Sequence, residues 1–269
     1  MLVNGVLLHI KRDEINDPKG VVIITHGIAE HSGRYAEITK ILNDNGYDVI
    51  RYDLRGHGQS QGKRGALKHY FDFVDDLHVI VNEAKKKQYK KIFLIGHSMG
   101  GLIVNMYGVK YPKNINGIIS SGAPTYFIKD VLPFRIIGYK WIGFLNRKNE
   151  FANDSLSRIK EVEDDYINDP LNLKTFKFSL AGNMFVGGVR YFNKNINNYK
   201  ARVLILHGKD DSIVPYQFSE RLYKILPEID KELIIYEDNY HEIFNDLDRK
   251  KVFDDIIKWL EKGEDKKWK

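Results

Sequence analysis

The sequence predicts an α/β fold: a mostly parallel sheet with helices on both faces, broken by one insertion. Two observations carry the sheet. Short apolar runs rich in β-branched residues alternate with segments whose apolar residues recur at helical spacing. The runs themselves lack polar alternation, as expected of strands buried on both faces. A third observation carries the insertion. The alternation stops at about residue 123 and resumes at about 200. This divides the chain into a core of 1–122 plus 200–269 and an inserted segment of 123–199.

Val21-Val22-Ile23-Ile24 is the first buried strand, followed by His26-Gly27. Ser32 to Asn45 reads as a helix stopped by Gly46, with Ile38, Ile41 and Leu42 on one face. Tyr47 to Tyr52 is a strand. Phe71 to Lys87 is helical, with Phe71, Val74, Leu77, Ile80 and Val81 in register. Ile92 to Ile95 is a strand and Leu102 to Tyr111 a helix ended before Pro112. Ile115 to Ser120, Val203 to Leu206 and Leu233 to Tyr236 are further strands. Val252, Phe253, Ile256, Ile257, Trp259 and Leu260 mark a final amphipathic helix.

Composition excludes several classes. A chain of 269 residues that is 43% hydrophobic, with 14 Phe, 16 Tyr and 3 Trp, has the means to build a large core and is neither disordered nor a coiled coil. Cysteine is absent, which excludes disulfides, thiolate zinc sites and a cysteine nucleophile, and fits a reducing compartment. No apolar run has the length of a membrane span, and residues 1–10 do not read as a signal peptide, so a cytoplasmic protein is expected. The net charge of +6 is modest. Its densest clusters, Lys85-Lys86-Lys87 with Lys90-Lys91 and Lys266-Lys267-Trp268-Lys269, fall at a helix end and at the terminus, so no nucleic-acid partner is expected.

Gly96-His97-Ser98-Met99-Gly100 follows the strand 92–95 and opens a helix. Gly-x-Ser-x-Gly in that setting is the turn that presents a nucleophilic serine above a parallel sheet. A serine hydroxyl needs a base, and the base needs a carboxylate to orient it. In chain order the acid comes next. His207-Gly208-Lys209-Asp210-Asp211 follows the strand 203–206, and Asp211 is preferred because the turn needs two or three residues beyond Gly208 to bring a carboxylate back over the sheet. Asp210 is then a turn residue. His241, in the loop after the strand 233–236, is the candidate base. The tetrahedral intermediate needs two N–H donors. Met99 at the helix N-terminus supplies one and Ile28, after the strand 21–25, the other.

The remaining histidines are weighed against His241. His9, His69 and His78 lie away from any motif and read as surface or packing residues. His26, His57, His97 and His207 adjoin glycines at strand ends and are candidates to line the site, but none follows the acid. His31 reads as a helix-opening residue. His241-Glu242-x-x-Asn245 lacks the second histidine of a zinc helix, so no metal is expected. Gly56-x-Gly58-x-x-x-Gly62 reads as a rigid loop rather than a nucleotide cradle.

With these residues in place, the chain resembles the monoacylglycerol lipase and lysophospholipase family of α/β-hydrolases, among the serine aminopeptidase S33-like hydrolases. The resemblance rests on Thr25-His26-Gly27-Ile28-Ala29-Glu30-His31-Ser32-Gly33-Arg34-Tyr35, on Asp53-Leu54-Arg55-Gly56-His57-Gly58-Gln59-Ser60, and on Gly96-His97-Ser98-Met99-Gly100-Gly101. Leu156-Ser157-Arg158 and Tyr166-Ile167-Asn168-Asp169-Pro170-Leu171 extend it into the insertion. It implies an α/β-hydrolase fold with an eight-stranded sheet, a helical cap formed by 123–199, and no cofactor. It further implies that Glu30, Arg34 and Tyr166, with His97 beside them, form the polar end of a pocket for a glycerol-like head group. Ile28 departs from the small residue often found at the first oxyanion position.

The expected function is hydrolysis of single-chain lipid esters, monoacylglycerols first, with lysophospholipids or a broad range of carboxylic esters as the alternative. A hydrolase-fold ligand-binding protein without turnover is the rival from another class, and a cofactor-free haloperoxidase or C–C hydrolase uses similar residues. Phe127 to Leu145 is apolar and aromatic yet carries Lys129, Asp130, Arg135 and Lys140. Such a stretch suits a peripheral contact with a membrane or micelle surface.

Overall fold

The computed structural model describes residues 1–127, 139–153 and 155–262. The first residues form a small hairpin, β1 (Leu2–Val3) and β2 (Val6–Leu7), closed by Asn4 and Gly5 at φ 46° and 77°. Then follow β3 (Ile10–Asp13), β4 (Gly20–Thr25), a 3₁₀ turn at Ser32–Tyr35, α1 (Ala36–Asp44) and β5 (Tyr47–Tyr52). Next come α2 (Phe71–Lys86), β6 (Ile92–His97), α3 (Met99–Lys110) and β7 (Gly117–Ser121). Residues 123–199 contribute α4 (Tyr139–Ile142), β8 (Asn146–Lys148), α5 (Lys160–Asn168), β9 (Thr175–Lys177), α6 (Phe178–Gly182), a π-helical stretch at Asn183–Gly188 and α7 (Val189–Asn195). The chain returns through β10 (Arg202–Gly208), α8 (Gln217–Ile225), β11 (Lys231–Tyr236) and α9 (Arg249–Lys262).

Seven strands make the central sheet, in the order β11-β10-β7-β6-β4-β5-β3. All neighbours are parallel except β3, which runs antiparallel to β5. The expected eighth strand is therefore corrected: among the described residues the sheet has seven. Asn4-Gly5 is a strong hairpin turn, so the first apolar residues pair with each other. The Asn4 side chain fastens that hairpin to Asp76 of α2 at 2.9 Å. Val3 and Leu8 are buried in the main core.

The central strands are largely apolar because both faces are covered. In β4, Val21 and Ile23 join one core with α2, α3 and residues 180–199, while Val22 and Ile24 join the other with α1 and α9. Helix α3 is buried along almost its whole length, which explains its uniformly apolar sequence. Two elements escape the pattern reading. Ile10-Lys11-Arg12-Asp13 is a polar edge strand, and α8 is a short surface helix. The segment read as one helix from Ser32 begins as a 3₁₀ turn capped by His31, whose Nδ1 accepts the Gly33 N–H.

Within the stretch from Phe127 to Leu145, residues 128–138, including Lys129, Asp130, Phe134 and Arg135, lie outside the described residues. So does the basic cluster at 266–269. Among the described residues no helix is long and apolar enough to cross a membrane.

Candidate active site

The carboxyl ends of β4, β6, β10 and β11 deliver the site. β6 turns into α3 at Ser98, whose φ of 53° and ψ of −121° lie where a side chain is strained. The surroundings hold that conformation. The Ser98 N–H donates to Ser121 O at 2.8 Å. A Cβ at Gly100 would fall on the carbonyl oxygen of Thr25, and one at Gly96 on the carbonyl oxygen of Gly100. Both flanking glycines are thus required by close backbone approach.

Asp211 closes the turn after β10, its N–H donating to Gly208 O at 3.4 Å. Its Oδ1 accepts the N–H groups of Ile213 (2.9 Å) and Val214 (2.8 Å). Its Oδ2 lies 2.6 Å from His241 Nδ1 and 3.0 Å from His207 Nε2. Because His207 Nε2 also faces Val214 O at 2.9 Å, that nitrogen carries the proton, and its Nδ1 accepts from Ser219 Oγ at 2.6 Å. Burial alone would raise the Asp211 pKa, but the facing His241 and the donated hydrogen bonds of both rings hold it well below the usual carboxylate range.

His241 is buried. Donation of its Nδ1 hydrogen to Asp211 leaves Nε2 as the free base. Burial disfavours its cation, yet Asp211, with smaller help from Glu242 and Glu30, raises its pKa above the ordinary histidine value. His97 lies beside it, with ring centroids 4.7 Å apart. Burial, and then repulsion from a charged His241, push His97 down to about 3, so it stays neutral.

Ser98 and His241 face one small cavity of about 20 Å³, also lined by Ile28 and Glu30 from the core and by Phe151, Leu156 and Tyr166 from the insertion. That is room for a single water molecule. Among the described residues the Ser98 hydroxyl has no side-chain partner and opens into this space. The first-turn N–H of Met99 has no acceptor within its helix. In the loop after β4 the Gly27 N–H is taken by Glu30 Oε1 at 2.5 Å, so Ile28 is the next donor along the chain.

Glu30, Arg34 and Tyr166 come together, but as a network tied into the protein. Glu30 Oε1 also accepts from the Tyr35 hydroxyl at 2.7 Å, and Oε2 from Arg34 at 3.1 Å. Arg34 makes a two-pronged pair with Glu242, at 2.5 and 2.8 Å, and lies 4.8 Å from the centre of the Tyr166 ring. Glu30 and Tyr166 border the small cavity, whereas Arg34 opens on its other side into a groove of about 620 Å³ with Asp165, Asn168 and Asp169. Glu242 is a functional candidate that motif reading passes over, and His207, expected to line the site, instead turns inward onto Asp211. Adjacency to His241 is the signal that could have found Glu242. His26 and His57 are packing residues: His26 Nε2 accepts the Leu54 N–H at 2.9 Å, and its ring lies against His57.

The geometry invites comparison with known proteins. A family model described as serine aminopeptidase S33 matches residues 16–248. A monoacylglycerol lipase of Mycolicibacterium smegmatis is 32% identical over 248 residues, covering 91% of this chain and 89% of that protein. The crystal structure of Paleococcus ferrophilus monoacylglycerol lipase superposes with a TM-score of 0.84 at 31% identity, over 95% of this chain and 99% of that one. A soluble variant of the Saccharomyces cerevisiae monoglyceride lipase in complex with a substrate analogue also gives 0.84, at 26% identity, over 97% and 93% of the two chains. With a family match over most of its length, the chain belongs to the serine aminopeptidase S33 family of α/β-hydrolases.

Proposed function

We propose that this protein is a monoacylglycerol lipase: a serine esterase that hydrolyses single-chain acyl esters through an acyl-enzyme. The observation that carries the reading is the buried Asp211–His241 contact of 2.6 Å, opening on the same cavity as the strained Ser98. The relatives and superposed structures named monoacylglycerol or monoglyceride lipases support the substrate class.

In this mechanism Ser98 Oγ attacks the ester carbonyl as its proton passes to His241 Nε2. Asp211 holds the ring tautomer and stabilises the resulting imidazolium. The Met99 and Ile28 N–H groups receive the oxyanion. The imidazolium proton goes to the departing glycerol oxygen as the carbon–oxygen bond breaks. Water, deprotonated by His241, then releases the fatty acid and restores Ser98. Glu30 and Tyr166 form the polar wall against which a glycerol head group rests, with Arg34 behind them pairing Glu30, and His97, held neutral, lets the single positive charge reside on His241.

The segment 123–199 serves as the cap over the core of 1–122 and 200–269. Its exposed Trp141 and Phe144, 82% and 70% accessible, together with Lys148 and Lys177, suit a lipid surface. The absence of cysteine suits a cytoplasmic enzyme that visits such a surface.

The test is a panel of monoacylglycerols, lysophospholipids and p-nitrophenyl esters of graded length, with a fluorophosphonate label. Turnover strongest on monoacylglycerols, with Ser98 labelled and both signals lost in Ser98→Ala, supports the reading. Preference for lysophospholipids would move the assignment to that substrate, and neither labelling nor turnover would point to a binding protein.

A further inference from the structure

Two strips of chain far apart in sequence are fastened together beside His241. On one side lies Leu156-Ser157-Arg158 of the insertion, and on the other the loop from Asn239 to Asp248. The Glu242 N–H donates to Leu156 O at 2.8 Å, and Ser157 Oγ donates to Asn245 O at 3.0 Å. Arg158 donates to Asp246 Oδ1 from its Nε at 3.0 Å and from its backbone N at 3.2 Å. Its Nη2 donates to Asn239 Oδ1 at 3.1 Å and to Asp248 Oδ2 at 2.8 Å. Asp246 is fully buried, and its Oδ2 accepts the N–H of Tyr240 at 2.9 Å.

We infer that Arg158 and Asp246 form a clamp that positions His241, so that the segment covering the site also fixes the placement of the base. The inference rests on the reading of His241 as that base.

The argument is geometric. Asp211 holds the imidazole by one hydrogen bond, which orients the ring but does not locate the backbone that carries it. That backbone is located by its two neighbours. Tyr240 bonds to Asp246, which Arg158 grips, and Glu242 bonds to Leu156 itself. A loop that depends on another segment for these bonds shifts when that segment is released. The residue must be arginine, because one planar fork meets acceptors on Asn239, Asp246 and Asp248 at once, which an ammonium cannot do in fixed geometry. Arg158 and Asp246 touch none of the reacting atoms, so both are positioning residues.

The test compares Arg158→Gln, Arg158→Lys and Asp246→Asn with the parent protein. Each is assayed on a short soluble ester, which does not need the cap for binding, and on a long-chain monoacylglycerol. Displacement of a catalytic group by about 1 Å costs on the order of a hundredfold. Arg158→Gln and Asp246→Asn are expected to lower kcat on the short ester about ten- to a hundredfold, with KM nearly unchanged and fluorophosphonate labelling of Ser98 slowed in parallel. Arg158→Lys is expected to recover part of the loss. If a thermal melt shows that Arg158→Gln does not fold, Arg158→Lys and Asp246→Asn decide by the same readouts. Parent-like kcat on the short ester, or a loss confined to the long-chain ester, overturns the clamp. Ser98→Ala and His241→Ala are run alongside. Their inactivity beside a parent-like Arg158→Gln sinks the clamp alone, whereas activity in either one sinks the underlying reading of the site as well.

Discussion

His241 Nδ1 and Asp211 Oδ2 lie 2.6 Å apart in a site closed to solvent, so the carboxylate stays ionised and the imidazole beside it holds a proton more tightly than a free histidine. On the reading of His241 as the base, it is competent only when neutral. Activity should therefore fall on the acid side through a pKa above the ordinary 6.5. Asp211→Asn removes the charge that raises it and leaves burial, which lowers it. The acid limb of kcat/KM on a short ester should then move to lower pH, while kcat drops on the order of 10⁴-fold. An acid limb that stays in place would show that another group controls it.

Glu30 gives a second pH dependence, of stability rather than activity. Burial would raise its pKa, but Arg34 and the Tyr35 hydroxyl are among the groups that bring it from 4.5 down to about 2. A carboxylate depressed in the folded state stabilises the fold fully above its unfolded pKa, and that contribution is lost as pH falls toward the folded value. The affected window here runs from 4.5 to about 2. Arg34→Gln leaves two buried carboxylates without their shared cation, which should cost about 3–5 kcal/mol at neutral pH and shift acid unfolding to higher pH. Circular dichroism across an acid titration of both proteins measures it.

His207 donates to Asp211 and accepts from Ser219. Replacing it with phenylalanine keeps the bulk but removes one donor from Asp211 and the acceptor of Ser219. Losing a hydrogen bond to a buried charged group should lower stability by about 1.5–3 kcal/mol. Because Asp211 would then be less firmly oriented, kcat should fall more than KM changes. Urea unfolding together with steady-state kinetics separates the two effects.

Trp141 and Phe144 are exposed, so Trp141→Glu and Phe144→Glu should leave stability within about 0.5 kcal/mol of the parent. If the protein meets lipid through them, hydrolysis of a micellar long-chain monoacylglycerol should weaken severalfold while turnover of a soluble short ester stays the same. Equal losses on both substrates would argue that these side chains do not contact lipid.

How much of this was legible in the sequence depended on whether the cause was local. The Gly96–Gly100 turn could be read because its glycines answer to a strand and helix adjoining in sequence. The candidate acid and base could be read because each follows a recognisable buried strand. Arg34–Glu242 joins residues 208 positions apart and Arg158–Asp246 residues 88 apart, so no local pattern marks either pair. The polar strand β3 was hidden because an edge strand needs no apolar alternation. The eight-stranded sheet was implied by the family resemblance alone, and the residues themselves marked no strand before Val21.

A site with space for one water cannot admit an ester as it stands. Each catalytic cycle must therefore begin with a swelling of the protein around Phe151, Leu156 and Tyr166, against the cohesion of a packed interior. Swelling has a positive activation volume. Hydrostatic pressure should thus slow turnover of a bulky acyl ester more than that of an acetate ester, under conditions where the fold itself is intact. The difference between the two slopes would measure how far the enzyme must open.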